Sequence, residues 1–477
     1  MTPGHPTSSP AFPPAPASGP LAWGAWPRVR PVSAARVWVW GVLYCLILVP
    51  AVGYVPRMSG NVASRYATIE SIVERGTLAV ERSSVLRQTS SVDVVRFGGH
   101  SYSDKPPVLP ALASPIYFAL WAAGARFTAS YHQFMLCNFA LAWPTATFAS
   151  GLCLVAFRAM LQGVAISRRA ADLATVALGF GSPLLTYAVT FNNHSVAAGC
   201  VSVAWALAVL ERPGRGAGYS RIGGGLLAAL AATIDLPVGC LTVAALGLVM
   251  LIRGGRAVAT FAAGAAGPLL LHCGLQSLVT GTPLPVEMYP EAFEYPGSYW
   301  LTPEGNWQDP RPRWLFGVDF LVGRQGAFTV FPVLWFGLIG LIGSAFRRRA
   351  DGSVERPAAV LVGGTFLTLV VYYIWGVRRT DYAGSSYGAR HLLAITPMIG
   401  LFAVVALARL RPRWLWVTLA ALVTLIGGAY ATIGATEPWN RVEIRARTNP
   451  TLQWLQRGVL YPYGTFRGEH PPAEGKR

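Results

Sequence analysis

The sequence predicts an all-α integral membrane protein, a bundle of about ten to thirteen transmembrane helices with a long first outer loop carrying amphipathic interfacial helices. Three observations carry this. Of 477 residues, 53% are hydrophobic and 13% charged, with a mean hydropathy of +0.42; soluble domains carry about 25% charge. Apolar runs of about 20 residues, long enough to span a bilayer, recur along the chain. Arginines gather in the short loops between those runs, which is how a membrane protein sets its orientation. A net charge of +18 therefore speaks for a lipid surface as partner and against nucleic acid.

Residues 1–35 hold seven prolines in the first twenty positions and no acid, and read as a disordered cytoplasmic leader. The first apolar stretch, 37–55, follows Arg28, Arg30 and Arg36, so the N-terminus stays in the cytoplasm. A transmembrane domain then covers 36–433, and 434–477 form an extracytoplasmic tail. Five basic clusters are assigned to the cytoplasm: Arg158 with Arg168 and Arg169, Arg212 with Arg215 and Arg221, Arg253 with Arg256, Arg347 to Arg349, and Arg409 with Arg411 and Arg413. The outer loops are then 56–106, the turn at Asn192–His194, an acidic and aromatic loop at 280–326, and a basic loop at 377–390. Two places break simple alternation. Two apolar segments lie between Pro106 and Arg158 where parity asks for one or three crossings, so one of them reads as re-entrant or the sidedness there changes. The segment 222–251 contains Asp235-Leu236-Pro237 and reads as a broken helix or hairpin that returns to its own side.

The first outer loop, of about fifty residues, is too long for a passive connector. Its first half, 61–76, sets Tyr66, Ile69, Ile72 and Val73 on one helical face and ends at a glycine suited to a C-cap. That is an amphipathic helix, either lying on the bilayer beside a site or serving as a solvated connector. Its second half runs through Asp93, Arg96, His100 and Tyr102 to Asp104-Lys105-Pro106-Pro107. Of 39 basic residues 37 are Arg, and Lys105 is the one lysine inside the body of the chain. The prolines hold an extended backbone after the charged pair and keep it at headgroup depth. A carboxylate beside an ammonium there suits proton or metal chemistry and a lipid-linked phosphate; the bland alternative is a snorkelling helix end.

The order of one span, then S-R-Y-A-T-I-E-S-I-V-E-R-G-T-L (Ser64–Leu78) and Y-S-D-K-P-P (Tyr102–Pro107), resembles the polytopic GT-C glycosyltransferases, in particular the protein O-mannosyltransferases and lipid A aminoarabinose transferases. Less specific matches follow in order at 182–194, 281–285, 323–332 and 388–397. The resemblance implies a transferase in a bacterial inner membrane that moves a sugar from a polyprenyl-phosphate donor to an acceptor on the outer face. It places Lys105, Arg390 and His391 at the donor phosphate, Asp104 where some members bind a divalent metal ion, and Asn61, Arg65, Tyr102 and His194 around the substrate. One departure stands out. The family carries an acid just after the first span, its favoured general base; here Gly60-Asn61-Val62-Ala63 stands there, and the nearest acid downstream is Glu70. Asn cannot accept a proton at neutral pH. The base then falls to Asp104 or Glu70, with Asp93 as a third candidate.

Other residues keep two readings. His194, after Asn192 and Asn193, caps a helix or joins the site. Asp235, costly inside an apolar stretch, is expected to be a paired structural carboxylate on the cytoplasmic side. Glu287, Glu291, Glu294 and Asp309 among Tyr289, Tyr295, Tyr299, Trp300 and Trp307 suit sugar recognition or an interfacial belt. Arg378, Arg379 and Asp381 bind phosphate or pair with that loop, and His272 reads as structural. All six cysteines lie in apolar runs and need no disulfide. The absence of a Walker loop and of a Gly-x-Ser-x-Gly elbow disfavours an ATP-driven pump and a serine hydrolase. A transporter or flippase of lipid-linked saccharide remains the rival class, although no internal repeat is visible; an inert GT-C relative is the third reading.

Overall fold

The computed structural model describes residues 34–54, 58–164, 166–211, 214, 216–303, 312–347, 355–377, 386–441 and 447–458. The expected leader up to residue 33, the stretch 378–385 of the basic loop, Trp307, Asp309 and the end of the tail lie outside these residues. Among the described residues the regular structure is helical apart from one two-stranded hairpin. Five helices are long and apolar enough to cross a bilayer: Tyr131–Gly163, Leu236–Arg253, Gly255–Thr280, Glu355–Gly376 and Arg413–Thr436. Arg313–Val330 and Leu334–Ala345 form a sixth candidate, bent by 101°. Val37–Ile47, Val108–Ala122, Asn193–Val209 and Thr396–Arg409 are apolar but shorter, and about 30 Å of hydrocarbon asks for about 20 residues. The ten or more helices expected from sequence are reached only with these shorter ones.

Helix starts follow local chemistry. Ser59, Ser130, Ser167 and Asn192 each accept a first-turn N–H and so satisfy an otherwise orphaned donor. Gly76 closes the Gly60–Arg75 helix at φ 64°, the C-cap its sequence announces. Tyr131–Gly163 passes through a π-helical turn at Trp143–Thr147, where Pro144 withholds its donor.

The Gly60–Arg75 helix differs from a helix resting on a surface. Every residue from Val62 to Ser71 is buried, and a partly open face begins only at Ile72. Val108–Ala122 runs alongside it in the same direction: Ser103 Oγ meets Ser64 Oγ at 3.1 Å, and ten residues further along the helix Tyr117 OH donates to Glu74 at 2.8 Å. Tyr66, Phe127 and Tyr117 stack between them, with centroids 4.9 and 4.4 Å apart. The two helices form one layer. Among the described residues, Tyr131–Gly163, which contains Arg158, is the one helix after Pro106 and up to that arginine that is long and apolar enough to cross a bilayer.

Residues 217–253 form a helical hairpin, Ala217–Ile234 and Leu236–Arg253, broken at Asp235. Arg221 and Arg253, at its two feet, both reach the Glu211 carboxylate, at 2.6 and 2.9 Å. Glu211 follows the Asn193–Val209 helix, whose other end carries His194; His194 Nδ1 lies 2.6 Å from Asp235 Oδ2. Asp235 is therefore at the apex, on the same end of the bundle as the Asn192–His194 turn. This corrects its expected cytoplasmic position. The reason is length: each limb has 18 residues, about 27 Å of helix, so the break falls at the far side of the bundle.

The basic end is fastened by ion pairs of its own: Arg158 to Asp172 at 2.7 Å, and Arg409 to Glu355 at 2.6 Å. Its arginines set orientation and also hold helices together. At the hairpin bend, a Cβ on Gly239 would fall 2.1 Å from the Ala232 backbone nitrogen. We expect Gly239→Ala to cost about 2–3 kcal/mol through forced separation of the limbs, read as a lowered unfolding midpoint in detergent; an unchanged midpoint would refute this packing.

Candidate functional site at the outer end of the bundle

A β-hairpin assembles the acids. Strands β1 (Val94–Phe97) and β2 (His100–Ser103) pair antiparallel with Val94 opposite Ser103. One step further in the same register, Asp93 faces Asp104, whose N–H donates to the Asp93 carbonyl at 3.4 Å. Between the strands, Gly98 and Gly99 adopt φ 57° and 83°, the left-handed pair that a two-residue turn requires. The sequence reading missed this hairpin, although Gly-Gly between two β-branched and aromatic runs is its signal.

Asp93 lies over the first turn of the Gly60–Arg75 helix. A Cβ on Gly60 would stand 2.9 Å from its Oδ2, so glycine makes room for the carboxylate at a helix N-terminus, where negative charge is favoured. From the next turn Arg65, 2% exposed, donates to the Asn61 carbonyl at 3.0 Å and to Asn193 Oδ1 at 2.9 Å. Burial lowers the Arg65 guanidinium to about 10, while Asp104, Asp93 and Asp235 support its charge. Asn61 thus enters through its main-chain oxygen.

Lys105 Nζ lies 2.5 Å from Asp104 Oδ2, and Asp104 Oδ1 is buried with no partner among the described residues. Burial pushes the Asp104 carboxyl up to about 6; Lys105 and Arg65 pull against this, and the charge of Asp93 adds to it. Lys105, Tyr102, Ser103, Thr68 and Gln276 line a recess here. Glu287, exposed at the rim, is near enough to Asp104 and Lys105 for their charges to act on it. Its loop is seated on the hairpin: Tyr295 OH and Trp300 Nε1 donate to the Val94 carbonyl at 3.4 and 3.2 Å, and the Arg96 guanidinium lies 4.8 Å over the Tyr295 ring. These two aromatics hold the hairpin rather than a lipid belt.

Behind Arg65 is a second group. The His194 ring stands edge-on to His391 at 5.3 Å, and His391 stacks on Tyr373 at 4.3 Å. Arg390 lies over Trp439 at 5.3 Å. Arg390 Nε and His391 Nδ1 are buried without partners among the described residues. Burial drives the His391 imidazole well below its ordinary value, and the positive charges of Arg390, His194 and Lys105 add to this. The structure thus brings together Asp104, Lys105, Tyr102, Asn61, Arg65, His194, Arg390 and His391, and adds Asp93, Asp235 and Glu287.

Glu70 stands apart. Its carboxylate accepts the hydroxyls of Ser83 and Ser84 and the Ser84 N–H at 3.2 Å, capping the Ser84–Thr89 helix, with Arg75 at 3.5 Å. These bonds give it a structural task of its own. As for a divalent cation, no three of His, Cys, Asp or Glu gather closely enough among the described residues to hold one, and Asp104 has spent one oxygen on Lys105.

A helical membrane bundle of this kind, with a hairpin-bearing first outer loop, resembles the GT-C membrane glycosyltransferases in fold. No family model and no curated protein matches the sequence. Among solved structures, the oligosaccharyltransferase of Archaeoglobus fulgidus, crystallised with Zn and sulfate, aligns over 88% of this chain and 57% of its own at 16% identity, with a TM-score of 0.50. ArnT from Cupriavidus metallidurans aligns in its apo state over 89% of this chain and 75% of its own (16% identity, TM-score 0.46), and bound to undecaprenyl phosphate over 90% and 75% (16%, 0.47). At this identity the likeness is one of fold.

Two outcomes test the site. Replacing Glu70 by Ala strands the Ser83, Ser84 and first-turn donors, and should cost about 2–4 kcal/mol in unfolding free energy; a variant as stable as the parent would free Glu70 for another role. Asp93→Asn removes a negative neighbour of Asp104, so the carboxyl should titrate lower than about 6. Infrared difference titration of the carboxyl band reads this directly, and a midpoint that stays or rises would refute the pairing.

Proposed function

We propose that this chain is a membrane glycosyltransferase that moves a sugar from a polyprenyl-phosphate donor to an acceptor on the extracytoplasmic face of a bacterial inner membrane, its N-terminus in the cytoplasm. The observation that carries this reading is the Lys105–Asp104 pair. Its lysine borders a recess at the end of the bundle opposite Glu211 and its two arginines, and Arg65 lies behind the pair.

As the bond between the anomeric carbon and the phosphate oxygen breaks, its electron pair stays on the lipid phosphate. Lys105 meets that growing charge where water is scarce and a fixed cation acts more strongly than in bulk. The acceptor hydroxyl attacks the same carbon and gives up its proton. Asp104 takes it on the unpartnered Oδ1; a carboxyl near 6 is ionised at neutral pH yet still basic enough to serve. Arg390 and His391 offer further donors from the second group, and Arg65 is a positioning residue that ties the first outer loop to the Asn193–Val209 helix.

The test is transfer of radiolabel from a panel of polyprenyl-phosphate sugars to membrane acceptors. Lys105→Ala should lower the rate by about a hundredfold or more, with the protein still folded. Failure of the native protein to transfer label from any donor, or equal transfer by the variant, would overturn the proposal.

A further inference from the structure

At the outer end of the Gly255–Thr280 helix stand polar groups that the fold does not use. Gln276 is fully buried, and its Oε1 accepts the Val286 N–H at 3.3 Å. Only the oxygen can accept there, so the amide nitrogen is turned the other way, and it has no partner among the described residues. One turn further in, on the same face, buried His272 leaves both ring nitrogens unbonded. An unsatisfied buried donor is destabilising, so its retention points to something that accepts from it.

Gln276 borders the Lys105 recess. Two of the hydroxyls there are spent within the protein, Thr68 donating to the Ser64 carbonyl at 3.0 Å and Ser103 to Ser64 Oγ at 3.1 Å, and the Tyr102 hydroxyl is a further donor at the recess. The N–H donors of the Lys105 ammonium and the Gln276 amide are unspent. Donors of this kind suit an acceptor-rich anion. The helix that carries Gln276 has only 28% of its apolar window buried in the protein, so most of it faces the bilayer, and an anion that arrives along it arrives on a lipid.

We propose that Gln276 is a headgroup-binding residue: its amide nitrogen and Lys105 Nζ together hold the phosphate of a lipid phosphate monoester, with His272 extending the run of donors into the bundle. This rests on the reading of Lys105 as a phosphate anchor and adds the second donor.

The experiment measures binding of a polyprenyl monophosphate to the full-length protein in nanodiscs, beside two controls, the unphosphorylated polyprenol and inorganic phosphate. Gln276→Leu keeps the shape and removes the donors. It should weaken monophosphate binding about tenfold, as expected for loss of a hydrogen bond to a charged group, and leave polyprenol binding unchanged; because it also strands the Val286 N–H, its unfolding midpoint should fall, and Gln276→Glu, which keeps that acceptor, controls for the loss. Gln276→Glu, which sets a carboxylate against the phosphate, should weaken monophosphate binding more. Native affinity in Gln276→Leu would overturn the assignment, and inorganic phosphate binding as tightly as the lipid would overturn the lipid as its source. A native protein that transfers sugar while Gln276→Leu binds and transfers normally sinks this inference alone. One that binds the monophosphate in a Gln276-dependent way but transfers nothing sinks the transferase reading alone.

Discussion

Charge confined in a poorly solvated recess at one end of a helical bundle governs this molecule. Lys105 and Asp104 meet where neither is well solvated, and each such charge needs others nearby to remain ionised. The outer end of the bundle is arranged around that need. Asp93 comes from across the hairpin, Arg65 from the neighbouring helix, and Asp235 with His194 from an interhelical bend. The segments that supply them lie as much as 170 residues apart in sequence, from Arg65 to Asp235, so the ion cluster forms only once the bundle has formed.

The two ends of the helices divide the work. At the basic end, carboxylates and arginines pair closely, Glu211 with two arginines, Asp172 with Arg158, and Glu355 with Arg409; these fasten helices. At the outer end several groups keep unspent capacity: Asp104 Oδ1, Arg390 Nε, His391 Nδ1 and the Gln276 amide. Among the pairs at the basic end, Arg158 Nη1 is the one such atom left without a partner among the described residues.

Much of this was legible in the chain. Composition and arginine placement give the helical membrane class, and the lone interior lysine beside an acid draws attention to the candidate site. The Gly76 cap and the break at Asp235-Leu236-Pro237 were both readable from local chemistry. Less accessible was whatever depends on register or on distant partners. The side on which Asp235 emerges follows from the lengths of two limbs, which an apolar run does not delimit. Asp93 becomes a partner of Asp104 only through hairpin register. Glu70 looked like a free acid because the serines that engage it lie 13 and 14 residues away, across a turn without periodicity. The enclosure of the Gly60–Arg75 helix likewise depends on neighbours that its own amphipathic pattern cannot name.

One carbonyl, that of Val94, receives both Tyr295 and Trp300 and adjoins Asp93 along the chain. The loop at the mouth and the acid within therefore share a mechanical fulcrum. The carboxylate that adds to the proton affinity of Asp104 thus sits one residue from the point where the loop is fastened, so the anchoring of that loop and the placing of that charge depend on the same stretch of backbone.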